Sequence, residues 1–150
     1  VEARPAVAVE GEDRPDGEYL PELAGKHVLL CEDHPLNQEI VKSLLTQKGV
    51  IVETADDGHL GVTAFGESPV GFYDGILMDV QMPVMDGYEA TEAIRASTIP
   101  AVRSIPIVAM TADAFSAARE RCMAVGMDDM VTKPIDPAAL SIVIKKYLDC

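Results

Sequence analysis

The segment Asp74–Gly87, DGILMDVQMPVMDG, is the stretch on which our interpretation of the chain depends. Its apolar run ILM ends abruptly at Asp79, and Pro83 and Gly87 then require a turn. A short apolar run of this kind predicts a strand buried on both faces, as in a parallel sheet. Asp79 then lies at the carboxyl end of that strand, where open α/β sheets bind their ligands. From its position alone, Asp79 is either a chemical group or a helix cap.

Composition narrows the class of protein. The 150 residues are 48% hydrophobic, which allows one domain with a proper core and argues against disorder. The net charge of −13 opposes binding to nucleic acid or to an anionic membrane surface. No apolar run approaches the roughly 20 residues of a membrane-spanning helix, and the start lacks the pattern of a signal peptide. Three cysteines without CxxC spacing suggest a reducing compartment and not zinc or disulfides. We therefore expect a cytoplasmic location.

The chain divides into two compositional zones. Residues 1–24 carry prolines and acids without helical or strand periodicity, which predicts a flexible linker or tail. Residues 25–150 form the predicted domain, with ordered structure beginning at Lys26. The chain begins with Val1 and not with Met, which suggests that it was cut from a longer protein.

Apolar patterning predicts five strands that alternate with five helices. We expect strands over 27–31, 50–52, 76–78, 105–110 and 130–132, and helices over 35–48, 58–66, 112–125 and 137–148, with loops over 67–73 and 97–104. Between the third and fourth strands we expect a further helix that starts near Asp86 and Gly87 and includes Glu89, Ala90, Ala93 and Ile94. The first helix is capped by Asp33 or His34, and its apolar stripe is expected to face the core; the stripe comprises Leu36, Ile40, Val41, Leu44 and Leu45. This alternation indicates a parallel sheet with helices on both faces and right-handed crossovers.

Polar residues follow the predicted strands at one edge of the sheet. Strand one ends in Glu32 and Asp33, strand three in Asp79, strand four in Thr111, and strand five in Lys133. Three converging carboxylates repel one another unless a cation holds them together, and a small set of oxygen ligands favours Mg²⁺ (or Mn²⁺). A lysine and a hydroxyl opposite them suit the oxygens of a phosphoryl group. The pattern therefore predicts a phosphoryl-transfer site with a carboxylate nucleophile.

Four motifs carry a resemblance to a known family. In order along the chain they are LLCEDHPLNQEI, ILMDVQMPVMDGYEA, IVAMTADA and VTKPI. Together they resemble the receiver domain of two-component response regulators, over residues 26–148. The resemblance implies the flavodoxin-like (βα)5 receiver fold, with a five-stranded sheet in the order 2-1-3-4-5.

The resemblance also implies a role for each site residue. Asp79 matches the phosphoacceptor, which takes a phosphoryl group from a phosphohistidine and later loses it by hydrolysis. Asp33 and Asp79 match direct metal ligands, Glu32 a neighbour that often acts through water, and the carbonyl of Gln81 a third protein ligand. Lys133 matches the lysine that pairs first with the aspartate and then with the phosphate.

Further residues would carry the signal or set its lifetime. Thr111 matches the switch hydroxyl that moves to the phosphate, although it could also cap the following helix. Gln81 and Asp113 stand at two variable positions thought to tune hydrolysis. In the family, the peptide before Pro134 is cis. Met130 stands where many members have Tyr or Phe, so an aromatic relay at that position is ruled out.

Other functions remain as alternatives. An aspartyl-phosphate phosphatase usually has a second acid two residues after its nucleophile, where this chain has Gln81. A degenerate receiver, used only as a protein-docking module, usually loses an acid or the lysine, and this chain retains them. A flavin-binding module would need a Ser/Thr/Gly-rich loop after strand one, where this chain has EDHPLNQ. We therefore favour a phosphorylation switch that turns over no external substrate.

The surroundings of the domain suggest its context. The acidic segment before Lys26 and the sequence LAGKHVLLCEDHPLNQEI resemble the junction between the kinase core and the receiver in hybrid sensor histidine kinases. The expected partners are a histidine kinase or a histidine phosphotransfer domain, with no nucleic acid and no direct membrane contact. The family also permits weak homodimers, on which the sequence is silent.

Overall fold

The computed structural model describes residues 20–113 and 115–148 and forms one parallel sheet of five strands. The strands are β1 (His27–Cys31), β2 (Ile51–Ala55), β3 (Gly75–Asp79), β4 (Ile107–Thr111) and β5 (Asp129–Thr132). Their order across the sheet is β2-β1-β3-β4-β5, and every pairing is parallel. The predicted fold class and strand order are confirmed.

Six α-helices connect or follow the strands in the described residues. They are α1 (Pro35–Thr46), α2 (Gly58–Glu67), α3 (Gly87–Arg95), α4 (Pro100–Arg103), α5 (Ser116–Val125) and α6 (Pro137–Leu148). The one-turn helix α4 lies in a segment that we predicted to be a loop, and Pro100 suits its first position because a proline has no N–H to leave unpaired. The predicted start of α5 at residue 112 is wrong by four residues. Within the described ranges, none of the helices is long and apolar enough to cross a bilayer.

The sheet separates two apolar layers. In β1, Val28 and Leu30 belong to the layer covered by α1 and α6, while Leu29 and Cys31 belong to the layer covered by α2, α3 and α5. This alternation follows from the two-residue repeat of a strand. All five residues of β3 are buried, as expected for a central strand of a parallel sheet.

The apolar stripe of α1 is only partly directed to the core. Val41 and Leu45 are fully buried and Leu44 packs against them. Leu36 and Ile40 are instead 62% and 43% exposed, so the prediction that they face the core is wrong. The apolar residues of α1 span a wider arc than the sheet can cover. For a residue at the margin of the stripe, apolar character alone therefore does not predict whether its side chain is buried.

The segment before β1 is part of the domain. A 3₁₀ turn, Pro21–Leu23, places Leu20 and Leu23 in the layer beneath α1 and α6, and Leu23 is fully buried. Glu22 Oε2 also lies 3.3 Å from Lys145 Nζ of α6. The predicted start of ordered structure at Lys26 is therefore too late, because two isolated leucines among acids and prolines give no periodic signal. The rest of the predicted tail, residues 1–19, lies outside the described residues.

Two glycines fix the segment between β3 and α3. The N–H of Gly58 at the start of α2 donates to the carbonyl of Met85 at 3.0 Å. The N–H of Gly87 donates to the carbonyl of Val80 at 3.2 Å, and a Cβ at Gly87 would overlap the carbonyl of Asp79. The start of α3 therefore packs directly on the end of β3. On the far side of the site, the Lys133–Pro134 peptide is cis.

We predict that Leu23→Ala destabilises the domain by about 2–5 kcal/mol, since it leaves a cavity in a well-packed layer. Leu36→Ala is the matched control, because its side chain is 62% exposed and its removal should change stability by about 0.5 kcal/mol or less. Urea unfolding of both variants measures the difference. Equal stability of the two variants would contradict the assignment of Leu23 to the core.

Candidate functional site

The carboxyl ends of four neighbouring strands bring the predicted site residues to one edge of the sheet. Asp79 is the last residue of β3 and pairs with Met110, while Thr111 is the last residue of β4 and pairs with Thr132. Glu32 directly follows β1, and Lys133 directly follows β5. Because the strands are parallel and in register, these ends lie side by side.

Three carboxylates form a compact cluster at this edge. Oxygen atoms of Glu32, Asp33 and Asp79 all lie within 4.8 Å of one another. Glu32 and Asp79 are only 1% and 2% exposed, whereas Asp33 is open to solvent. Two buried acids and one exposed acid, all with oxygen ligands, suit a hard divalent cation that keeps part of its water shell.

Lys133 is the cation that the fold itself supplies to this cluster. Its Nζ lies 2.9 Å from Asp79 Oδ2 and 3.2 Å from Glu32 Oε1. Burial lowers the pKa of Lys133, but its pairing with Asp79 and its attraction to Glu32 outweigh burial, so the pKa is raised above its ordinary value. The lysine therefore remains charged and bridges two buried carboxylates.

The Glu32 carboxyl is under electrostatic strain. Burial raises its pKa most, and repulsion from Asp79 adds to the rise, while the His34 N–H and Lys133 oppose it. Glu32 Oε2 accepts the His34 N–H at 3.0 Å. Glu32 Oε1 is ion-paired but accepts no hydrogen bond with good geometry from the described residues. A buried carboxylate oxygen that is ion-paired but accepts no hydrogen bond fits a site that holds a second cation besides Lys133.

Asp79 is not a helix cap. Its Oδ1 accepts the N–H of Gln81 at 3.1 Å, and its Oδ2 faces Lys133. Helix α3 is capped instead by Asp86, which forms a capping box with Glu89. The alternative in which Asp79 caps the following helix is therefore wrong.

The Thr111 hydroxyl is engaged within the loop that follows β4. It accepts the N–H of Asp113 at 3.0 Å and lies 3.3 Å from the carbonyl of Asp113. Asp113 in turn accepts the N–H of Phe115 at 2.9 Å. Since α5 begins only at Ser116, Thr111 does not cap it. Met130 on β5 is 7% exposed, in the layer beneath α5 and not at the site itself.

Two residues near the acids were not identified from the sequence as site residues. His34 caps α1 by accepting the N–H of Leu36 at its Nδ1, 3.2 Å away, which settles the choice between His34 and Asp33 and leaves Asp33 uncommitted. Gln38 donates to the Glu32 carbonyl and to Asp56 Oδ1, the latter at 2.9 Å. Gln38 follows the cap residue His34 by four positions, and residues four apart are neighbours on a helix surface. This spacing could have indicated that the Gln38 side chain lies at the start of α1.

An open cleft of about 490 Å³ adjoins the carboxylate cluster. Asp33 and Gln81 line it on the side of the cluster. Tyr88 of α3 and Arg121 of α5 line it on the other side, and the Arg121 guanidinium carbon lies 4.0 Å from the centre of the Tyr88 ring. Nothing in the sequence pattern had linked these last two residues to the site.

Comparisons with known proteins place this geometry in context. Residues 28–145 match the family described as the response regulator receiver domain. The chain is 40% identical over 134 residues to hybrid signal transduction histidine kinase I of Dictyostelium discoideum, covering 85% of this chain but 8% of that kinase. It thus spans less than a tenth of that relative's length.

Two solved structures are similar along most of the chain. The receiver domain of sensor histidine kinase PA1611 from Pseudomonas aeruginosa PAO1, with a magnesium ion coordinated in its active site cleft, is 38% identical with a TM-score of 0.75, covering 85% of this chain and 100% of that one. The receiver domain of Ssk1 from Saccharomyces cerevisiae, crystallised with the histidine phosphotransfer protein Ypd1, gives 30% identity, a TM-score of 0.75, and coverages of 84% and 90%. The chain belongs to the response regulator receiver domain family.

Proposed function

We propose that the domain is a phosphorylation switch in a two-component phosphorelay, with Asp79 as the phosphoacceptor. The observation that carries this proposal is the position of the Asp79 carboxylate between Lys133 and two further acids, at the carboxyl edge of the sheet. A nucleophilic carboxylate, a fixed ammonium and a set of oxygen ligands are the parts that phosphoryl transfer needs. The proposal thus rests on positioning and electrostatics.

Asp33, Asp79 and the carbonyl of Gln81 would hold Mg²⁺ (or Mn²⁺), with Glu32 acting directly or through water. When bound, the cation neutralises negative charge on the oxygens of the transferred phosphoryl group. The magnesium ion in the active site cleft of the PA1611 receiver supports this assignment. So does the oxygen of Glu32 that is ion-paired without a hydrogen bond.

The proposed transfer is a displacement at phosphorus, in which one bond to phosphorus forms as another breaks. An Asp79 carboxylate oxygen forms a bond to phosphorus as the phosphorus–nitrogen bond of a phosphohistidine breaks, and its electron pair returns to the imidazole nitrogen. Lys133 then pairs with a phosphoryl oxygen in place of the Asp79 oxygen. Attack by water later releases inorganic phosphate and restores the carboxylate, with Gln81 and Asp113 at the positions that tune this step.

Thr111 is the proposed switch hydroxyl. It is 3% exposed and bonded to Asp113, so its movement to a phosphoryl oxygen would break the turn that precedes α5. A phosphatase is disfavoured because Gln81 stands where the second acid is needed. A docking module without phosphorylation is disfavoured because Lys133 and the three acids are retained and brought together.

We also propose where the phosphodonor docks. Leu36 and Ile40 on α1, Val84 after β3 and Phe115 after β4 are exposed large apolar side chains at the edge of the sheet that carries Asp79. A histidine-bearing partner must approach this edge for its imidazole to reach Asp79. The complex of Ypd1 with the Ssk1 receiver supports a histidine phosphotransfer domain as that partner.

The domain would be part of a hybrid histidine kinase and would work in the cytoplasm. The similarity to a hybrid kinase of which this chain covers only 8% supports that origin. Sequencing the gene around this segment tests it, and a reading frame that encodes only these residues with its own start codon would exclude it.

We predict that intact-mass measurement finds one added phosphoryl group after incubation with Mg²⁺ and acetyl phosphate, and none with Asp79→Asn. The reason is that the amide is a far poorer nucleophile than the carboxylate. Asp113→Asn is the matched control and should still be modified, at a changed rate of loss. A native chain that gains no mass, or an Asp79→Asn chain that still gains it, would refute the proposed function.

A second prediction concerns docking. Leu36→Ala combined with Ile40→Ala should slow phosphoryl transfer from phosphorylated Ypd1 by about ten-fold, since central apolar contacts each contribute on the order of 1 kcal/mol or more to binding. Modification by acetyl phosphate should be unchanged. Val70→Ala is the control, because Val70 is 58% exposed in the loop before β3, at the opposite edge of the sheet. Equal transfer rates in all three chains would exclude α1 from the docking face.

A further inference from the structure

At the β5 position where many members of this family have Tyr or Phe, this chain has Met130. Other residues must therefore connect α5 to the site. Met130 is buried in the layer that also contains Cys122 of α5. A flexible methionine fills space but offers no ring to reorient. An aromatic residue that contacts α5 lies on α3.

That residue is Tyr88, the second residue of α3. Its ring lies under the guanidinium of Arg121, whose Cζ is 4.0 Å from the ring centre. The thiol of Cys122, the next residue of α5, lies near its hydroxyl. The ring is half-buried against the layer that contains Met130, and burial, followed by the neighbouring Cys122, raises the pKa of Tyr88. Tyr88 therefore contacts the middle of α5 through its ring, at Arg121.

Tyr88 is also linked rigidly to the phosphoacceptor. Its neighbour Gly87 packs so closely on the end of β3 that a Cβ would overlap the carbonyl of Asp79. The Gly87 N–H donates to the carbonyl of Val80 at 3.2 Å. Because no gap separates the end of β3 from the first turn of α3, a shift of the backbone at the end of β3 also moves that turn.

Helix α5 has attachments of different kinds at its start, middle and end. The turn before it depends on the bonds between Thr111 and Asp113. Its middle rests on Tyr88, and its C-cap carbonyl, that of Gly126, accepts from Arg95 Nε at 2.8 Å. If the Thr111 hydroxyl leaves its turn, the first attachment is lost while the other two persist. Such a helix has two arrangements available, one with and one without its first attachment.

We propose that Tyr88 is the positioning residue that couples the state of Asp79 to α5, through its ring contact with Arg121. This inference rests on the proposed phosphorylation switch. In it, release of the Thr111 turn lets the start of α5 move while Tyr88 acts as the fixed point for its middle. Without the ring contact, α5 is already loosened before Asp79 is phosphorylated. Phosphorylation then produces a smaller change in α5.

Hydrogen exchange in peptides covering 116–125, with Mg²⁺ and with or without fluoroberyllate, tests the coupling. Fluorine NMR reports fluoroberyllate binding independently. The native chain should bind the mimic and change exchange in α5. In Tyr88→Leu and in Arg121→Gln, binding should persist while the change in exchange falls about two- to five-fold, the range expected for loss of a cation–π contact. Tyr88→Phe keeps the ring and should restore the native response.

The controls separate coupling from folding. Arg119→Gln removes an equal charge from an exposed position on the same helix and should respond like the native chain. Because Arg121 is also exposed, Arg121→Gln leaves the core intact and keeps the test decisive if Tyr88→Leu unfolds. A full response in Arg121→Gln, or in a folded Tyr88→Leu, overturns this inference alone. Failure of the native chain to bind fluoroberyllate overturns the proposed function and this inference with it.

Discussion

The structure depends on one buried electrostatic arrangement, in which Lys133 bridges Asp79 and Glu32 at 2.9 and 3.2 Å. Two nearly fully buried carboxylates beside a third acid would repel one another strongly without a cation. The parallel sheet resolves this by placing the end of β5, and with it the lysine, at the same edge as the ends of β1 and β3. Burial, and to a smaller extent repulsion from Asp79, raises the pKa of Glu32 despite the lysine. A divalent cation at the cluster would offset the charge of the acids further.

The backbone around the acids is correspondingly fixed. Gly58 and Gly87 allow two helix starts to approach the segment between β3 and α3, and His34 and Gln38 satisfy groups beside Glu32 without using Asp33. Thr111 differs from these residues, because among the residues that the structure describes its hydroxyl bonds to Asp113 in the adjacent loop. The site therefore combines a carboxylate held in a rigid frame with a hydroxyl that is bonded to a short loop. The proposed switch needs both, since a rearrangement requires a second arrangement of similar free energy.

The sequence predicted the sheet, its flanking helices and the convergence of the acids with Lys133, because strand ends and their polar residues follow directly from short-range patterning. It did not predict the burial of Leu20 and Leu23, since neither belongs to a periodic segment. It also misjudged Leu36 and Ile40, because apolar character at the edge of a helix face does not distinguish a buried residue from an exposed one. The contact of Tyr88 with Arg121 joins residues 33 positions apart and depends on how α3 and α5 pack. No local pattern records such a packing.

We propose that the three acids form a cation site completed by the fold, and Mg²⁺ titration tests this most directly. Calorimetry should compare the native chain with Asp33→Asn and with Glu39→Gln, which removes the same charge from an exposed position on α1. We expect Mg²⁺ to bind the native and Glu39→Gln chains alike and Asp33→Asn at least about ten-fold more weakly, a loss comparable to that seen when the supporting residues of metal sites are changed. Equal Mg²⁺ affinity in all three chains would contradict the account.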